Sequence, residues 1–176
     1  FDQQRLYAVL EQLCKWMPEL GLLLVGKGQH GEEKALEQAA ADRGFAGQLT
    51  SAGWVQPDQL PDCLAAADAA LYLFDDTLIN RTKCPAKLAE LAACGIPTAA
   101  EQVGQIAEYL QHGEAGRLVE SGDVDGLVQA ASHLLTDRAA AQRIGQAAGQ
   151  RMAALFGWEK RAEELDQFYQ RLVTVC

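Results

Sequence analysis

Short apolar runs alternate along the chain with longer stretches in which apolar residues recur every three or four positions. Leu6, Leu10, Leu13 and Met17 keep helical spacing and predict a helix over 3–17. Leu22-Leu23-Leu24-Val25 reads as a buried strand ended by Gly26. A surface helix over 32–43, a strand over 48–55, a short helix over 58–67 and a strand over 69–74 follow. Pro85 opens a helix to Cys94 and Gly95 closes it, because proline suits a first turn and glycine the position past the last. The spacing then predicts a strand over 96–99, a helix over 103–111 and a strand over 117–119. Helices over 124–135, 138–156 and 158–173 end the chain.

Strands apolar on both faces, alternating with helices, predict a parallel sheet covered on both sides. The fold class is α/β: a doubly wound, mostly parallel sheet with extra C-terminal helices, in one domain over 1–176. Such folds open with a central strand, whereas this chain opens with a helix. An upstream strand is therefore expected to be missing from the sequence; the alternative is that Leu172 to Val175 fills the gap.

Composition narrows the function classes. Fifteen basic against twenty-four acidic residues leave a net charge of −9, which argues against nucleic acid or an anionic membrane as the main partner. The five cysteines lack metal-ligand or CxxC spacing, so a reducing cytoplasm is expected, with most of them as small core residues. The three histidines are scattered and predict no metal site. No run is long enough to span a bilayer.

In open parallel sheets the ligand lies beyond the carboxyl ends of the strands. Gly26-Lys27-Gly28-Gln29-His30-Gly31 matches G-x-G-x-x-G, but the next strand ends in Gly53-Trp54-Val55 without the acid a dinucleotide ribose needs. The loop remains open to a tight turn or a close approach to a phosphate or sugar. Asp75 to Cys84 is more informative. It carries Arg81 and Lys83 and leads to Pro85, Ala86 and Lys87, so cations cluster at a helix start whose free N–H groups favour an anion. Leu88, Leu91 and Ala92 make the buried stripe, while Lys87, Glu90 and Cys94 share another face. Gly104 and Gln105 stand at the next helix entry. Asp123-Val124-Asp125 is expected to cap a helix rather than bind a metal. Asp75-Asp76 follow the wrong strand for a phospho-receiver.

Taken in order, these pieces resemble the C-terminal, nucleotide-sugar-binding half of GT-B glycosyltransferases of the large retaining family four, a Rossmann-like domain. The resemblance runs from Leu22 to Phe156. It rests on Leu-Leu-Leu-Val-Gly-Lys-Gly (22–28), Gly-Trp-Val (53–55), Leu-Ala-Ala-Ala-Asp (64–68) and Lys-Leu-Ala-Glu-Leu-Ala-Ala-Cys-Gly-Ile-Pro (87–97). Val-Gly-Gln-Ile-Ala-Glu (103–108), Gly-Arg-Leu-Val (116–119), Gly-Asp (122–123) and Phe-Gly-Trp (156–158) complete it.

The resemblance implies a nucleoside-diphosphate sugar as donor substrate, with no cofactor and no metal. Glu90 matches the second of the family's paired glutamates, which holds the ribose. The first falls on Thr82, so that acid is absent. Cys84-Pro85-Ala86 replaces the glycine-containing turn whose amides bind the diphosphate. Val55 matches a backbone contact to the base, and Gly104 and Gln105 match the approach to the sugar. Basic residues after the family's first strand fall upstream of most of this sequence; Arg5 lies near and is not assigned. Lys87 and Glu90 are the residues implied at the reaction. Gly26, Gly28, Val55, Arg81, Thr82, Cys84, Pro85, Ala86, Gly104 and Gln105 are implied around the donor. An acceptor saccharide or lipid-linked acceptor belongs to an N-terminal half, so this chain alone is expected to be inactive. The helix over 158–173 would return to that half, and without it would leave an apolar patch open to self-association. The expected location is cytoplasmic, at the inner face of the membrane for a lipid-linked acceptor. The alternatives are a non-catalytic nucleotide- or partner-binding module and a GT-B type epimerase. An upstream segment of about 150–200 residues with its own α/β pattern would favour transfer.

Overall fold

The computed structural model describes residues 1–174, so Val175 and Cys176 lie outside the described residues. The elements, in chain order, are α1 (Gln3–Trp16), β1 (Leu22–Val25), α2 (Glu32–Arg43), a 3-10 turn (Ala46–Gln48), β2 (Leu49–Gly53), α3 (Leu60–Ala65) and β3 (Ala70–Tyr72). Then come α4 (Leu78–Thr82), α5 (Ala86–Ala93), β4 (Thr98–Glu101), α6 (Ile106–Leu110), β5 (Arg117–Val119), α7 (Val124–Thr136), α8 (Arg138–Phe156) and α9 (Trp158–Thr174).

Every described strand pairing is parallel, as the apolar runs require. The strands form two hydrogen-bonded sets, β1-β2 and β3-β4-β5, rather than one ladder. β4 is central to the second set and buries all four of its residues. β1 and β3 each pair on one side only and bury none of theirs fully. Leu172 to Thr174 are helical, so they do not bridge the two sets.

Helices cover both faces of the three-stranded set, because successive strand residues point to opposite sides. Ala99 and Leu73 pack with Val9 and Leu13 of α1 and Leu127, Ala131 and Leu134 of α7. Ala100, Phe74 and Leu118 pack with Leu88 and Ala92 of α5 and Ile106 and Leu110 of α6. α8 serves both cores, with Ile144 in the first and Ala148 and Met152 in the second. Tyr7, Leu10 and Cys14 of α1 meet Leu36, Ala40 and Phe45 in a third cluster over β1-β2.

The differences from the expected boundaries have local causes. Gly95 turns left-handed at φ 72° and the Ile96 N–H returns to the Leu91 carbonyl, so β4 starts at Thr98 rather than Ile96. Gly53 at φ 65° ends β2 before Trp54 and Val55. β3 stops at Tyr72 because the Phe74 N–H is taken by the Glu101 carboxylate at 2.6 Å. Cys14 alone of the four described cysteines is buried, and Cys84 and Cys94 are exposed, so most are not core residues. Among the described residues no helix is long and apolar enough to cross a membrane.

Candidate functional site

The carboxyl ends of β3 and β4 are joined by a buried ionic knot. Glu101 is fully buried at the end of β4. Its carboxylate accepts N–H bonds from Phe74 at 2.6 Å and Gly122 at 2.8 Å, and pairs with Arg5 of α1 at 2.9 and 3.0 Å. Arg5 also holds Asp75 at 2.5 Å. Burial works against the Arg5 charge, but the Asp75 bond and the Glu101 charge outweigh it and leave its pKa raised. Burial pushes the Asp75 carboxyl up, yet bonds from Arg5 and the Asp2 N–H hold it below its ordinary value. The Ser121 hydroxyl donates to the Phe74 carbonyl at 3.1 Å and pulls the β5–α7 loop into the same knot.

Above the knot runs the segment from Asp75 to Pro85, which folds into a short helix that the spacing did not predict. Thr77 caps α4 by accepting the Asn80 N–H, and Asn80 donates back to the Asp75 carbonyl at 2.9 Å. Arg81 is bound to Asp76 at 2.5 and 2.7 Å, which lowers the Asp76 pKa. The Thr82 hydroxyl turns back to the Leu78 and Ile79 carbonyls. Lys83 lays its ammonium 4.7 Å from the centre of the Phe74 ring. The Cys84 thiol lies 3.1 Å from the Tyr109 hydroxyl. Burial first, and then that contact, push the Tyr109 pKa to about 12.

Pro85 is buried and acts as the N-cap of α5 without a side-chain bond. The Ala86 N–H turns to the Cys84 carbonyl, but those of Lys87 and Leu88 take no carbonyl of the preceding loop. Lys87 is exposed and forms no ion pair with a described residue, Glu90 included. Two free amides, the positive end of a helix and an uncommitted ammonium therefore meet at one place, a set that suits an oxyanion. Glu90 is exposed one turn further on, and Leu88 and Ala92 are buried while Leu91 is half-buried. The three cations grouped by sequence thus separate into Lys87, free, and Arg81 and Lys83, engaged.

Gly104 joins the next loop to this one. It sits at φ 55°, and a Cβ there would lie 2.7 Å from the Arg81 carbonyl oxygen. Only glycine lets the β4–α6 loop approach the α4 backbone so closely. Gln105 follows, half-buried, as the N-cap of α6.

On the β1–β2 side the glycine loop is already occupied by its own chain. The Gly26 N–H bonds the Gly53 carbonyl at 2.8 Å. The Gly28 N–H goes to the Glu33 carboxylate at 2.9 Å and the His30 N–H to Glu32 at 2.8 Å. These bonds lower both acids, Glu32 chiefly through His30 and Glu33 through its own N–H and that of Gly28. The loop is a self-capped entry to α2, and a phosphate there would have to displace a carboxylate. Val55, half-buried, follows the exposed Trp54.

Sequence reasoning named Glu101 only as a loop residue and left Arg5 unassigned. The signal was present: Arg5 lies four residues before Val9 on the buried face of α1, and a cation there needs a buried partner. Asp123 does cap α7, accepting the Gly126 N–H at 2.8 Å.

Comparisons with known proteins identify the family and the fold. The family described as Glycosyl transferases group 1 matches residues 3–137. N-acetyl-alpha-D-glucosaminyl L-malate synthase of Bacillus anthracis is 29% identical over 168 residues, covering 94% of this chain and 42% of that protein. GDP-mannose-dependent alpha-(1-6)-phosphatidylinositol monomannoside mannosyltransferase of Mycobacterium tuberculosis is 29% identical over 174 residues, covering 94% of this chain and 43% of that protein. Sucrose-phosphate synthase from Thermosynechococcus elongatus superposes with a TM-score of 0.77 at 26% identity, over 99% of this chain and 44% of that one. HepE of Anabaena, solved with UDP and glucose, superposes with a TM-score of 0.79 at 21% identity, over 96% of this chain and 44% of that one. The chain thus spans less than half the length of these relatives, and its fold is that of one GT-B domain.

Proposed function

The chain belongs to the group 1 glycosyl transferases, and from that premise we propose that it is the donor-binding half of a retaining glycosyltransferase. Its substrate is a nucleoside-diphosphate sugar, and a preceding half holds the acceptor, a saccharide or a lipid-linked one. Two features of the fold support a preceding segment. β1 and β3 each pair on one side only and leave an unpaired edge. α9 leaves Trp158, Leu165, Phe168, Tyr169, Leu172 and Val173 exposed. On this reading the enzyme works in the cytoplasm, at the inner membrane face for a lipid-linked acceptor.

The observation that carries the proposal is the start of α5. When the bond between sugar and diphosphate breaks, negative charge grows on the leaving phosphate. The Lys87 and Leu88 amides, the helix dipole and the Lys87 ammonium meet that charge in place, without a metal in the scheme. Glu90, one turn deeper, accepts from the ribose hydroxyls. Gly26, Gly28 and Val55 form the base side, while Cys84, Pro85, Ala86, Gly104 and Gln105 form the diphosphate and sugar side. Arg81 and Thr82 join the site when Arg81 leaves Asp76 and the Thr82 hydroxyl leaves its helix.

Calorimetry with a nucleoside diphosphate tests the scheme. Lys87→Ala is expected to weaken binding by about 1–3 kcal/mol, the scale of a charged hydrogen bond. Equal affinity in mutant and parent removes Lys87 from the site. Glu90→Gln is expected to weaken the nucleotide more than pyrophosphate, and parallel losses remove the ribose role.

Thr82 favours a second reading. It stands where the family carries a glutamate toward the donor sugar, and its hydroxyl serves its own helix. A domain that binds the nucleotide without transferring a sugar fits that replacement. Nucleotide affinity with no turnover in the complete two-half protein would select it.

A further inference from the structure

A cavity lined by basic and polar side chains lies away from the start of α5, on the outer edge of the three-stranded set. β5 is the edge strand there, paired only with β4. Between β5 and α7 opens a cavity of about 290 Å³. Its polar lining is His112, Arg117, Gln129 and His133, over Leu118 and Ala130, and no carboxylate lines it. In a chain of net charge −9 that is an unusual concentration of donors.

The local bonds fix which atoms are free. The Leu118 N–H donates to His112 Nδ1 at 3.0 Å, so the neutral ring carries its proton on Nε2, which is left to donate. Arg117 Nη2 lies 3.4 Å from His133 Nε2, which accepts, placing the His133 proton on Nδ1. Arg117 has no carboxylate partner among the described residues, and its buried Nε has no hydrogen-bond partner. What sets Arg117 apart from the other unpaired arginines is its place, beside two imidazoles in a cavity that no carboxylate lines. A guanidinium without a counter-ion, flanked by two imidazoles in a carboxylate-free cavity, matches a tetrahedral oxyanion.

We propose that His112, Arg117 and His133 form a binding site for a small phosphate, either the inorganic ion or a phosphate monoester on a sugar. The site is independent of the donor mouth: it opens on the α7 side of β5, whereas α5 packs with α6 and α8 on the opposite core.

The test uses the chain labelled with ¹⁵N at histidine, titrated with sodium phosphate and, separately, glucose 6-phosphate, against sodium chloride at matched ionic strength. Saturable movement of the His112 and His133 ring signals with phosphate, and not with chloride, is expected. Arg117→Gln is expected to weaken it about tenfold or more, as for loss of a charge-assisted contact, and Lys87→Ala to leave it unchanged. Tighter binding of the sugar phosphate identifies the monoester as the ligand, and equal affinities identify the phosphate group alone. Static ring signals in the parent overturn the proposal whether or not the variant folds. So does phosphate binding that Lys87→Ala abolishes and Arg117→Gln spares.

Discussion

Replacing Glu101 by glutamine should cost this fold more than any other single change of similar size. The carboxylate is fully buried, receives two N–H groups and a bond from Arg5 Nη2, and lies 2.9 Å from Arg5 Nε. An amide has one accepting oxygen, so the Phe74 or the Gly122 N–H is left facing an NH₂ group. Arg5, whose side chain is 14% exposed, keeps only the partly solvated Asp75 as counter-charge. Removing one partner of a buried pair costs about 3–5 kcal/mol, because the other charge stays uncompensated. Against a typical domain stability of about 5–15 kcal/mol, that is about a fifth or more of the total. Urea unfolding measures it: with m near 2 kcal/mol/M, the midpoint should fall by about 1.5–2.5 M at unchanged m. The double replacement Arg5→Met with Glu101→Leu removes both charges and should recover most of the loss, which a double-mutant cycle reads directly. A loss below about 1 kcal/mol for Glu101→Gln, or a double variant no better than the single, would refute the account of the knot.

Asp75 gives the knot a pH dependence. Its folded pKa lies below the ordinary 3.8, so its contribution is fully present above that value and is lost as pH falls through the folded pKa. Thermal midpoints followed from pH 6 down to about 2.5 should drop less steeply in Asp75→Asn than in the parent; identical acid limbs argue against it. Gly104→Ala must bend a left-handed residue and push the new methyl into the Arg81 backbone, at a cost of about 1–3 kcal/mol. Nucleotide affinity should fall with it, and unchanged stability in urea would show that the α4 approach is loose. The exposed apolar face of α9 should draw the isolated chain into dimers at high concentration, visible by sedimentation velocity. Strict monomers throughout the concentration range count against that.

Elements whose own residues decide their state were legible in the sequence. α8 (Arg138–Phe156) and β5 (Arg117–Val119) fall on the expected limits, because an Asp137 cap and a short apolar run between turns need no distant partner. α4 escaped notice because Leu78 and Ile79, which look like core residues, are exposed, and its start depends on the Thr77 cap and the Asn80 return bond. The helix-start chemistry at Pro85 was readable, since proline and lysine at that spacing define it locally. Which cations remain free was not, because Asp76 claims Arg81 and Phe74 claims Lys83 through contacts that five or nine positions of separation do not announce. Glu101 shows the same limit from the other side: an acid after an apolar run looks like a loop residue until α1 brings Arg5 to it.

The division of the strands into two sets bears on how the proposed donor site holds its shape. Gly104 and Gln105 follow β4 directly, and the α5 mouth packs on the same core, so backbone ladders and the Glu101 knot tie these groups together. The glycine loop and Val55 follow β1 and β2, which share no ladder with β3. What joins the two sets is packing around α1, through Leu6, Leu20 and Leu71, which touch the cores on both sides, together with the bonds of Arg43 to Glu11 and Gln4 and of Gln48 to the Met17 and Leu20 carbonyls. Burial of apolar surface is non-directional and sets proximity, whereas hydrogen bonds in a ladder set register. The diphosphate side of the site is therefore fixed by backbone ladders, whereas the base side is tied to it only through α1, by packing and by the side-chain bonds of Arg43 and Gln48. A parallel strand seated in the seam would extend the ladder across both sets and bring the base side under the same directional control.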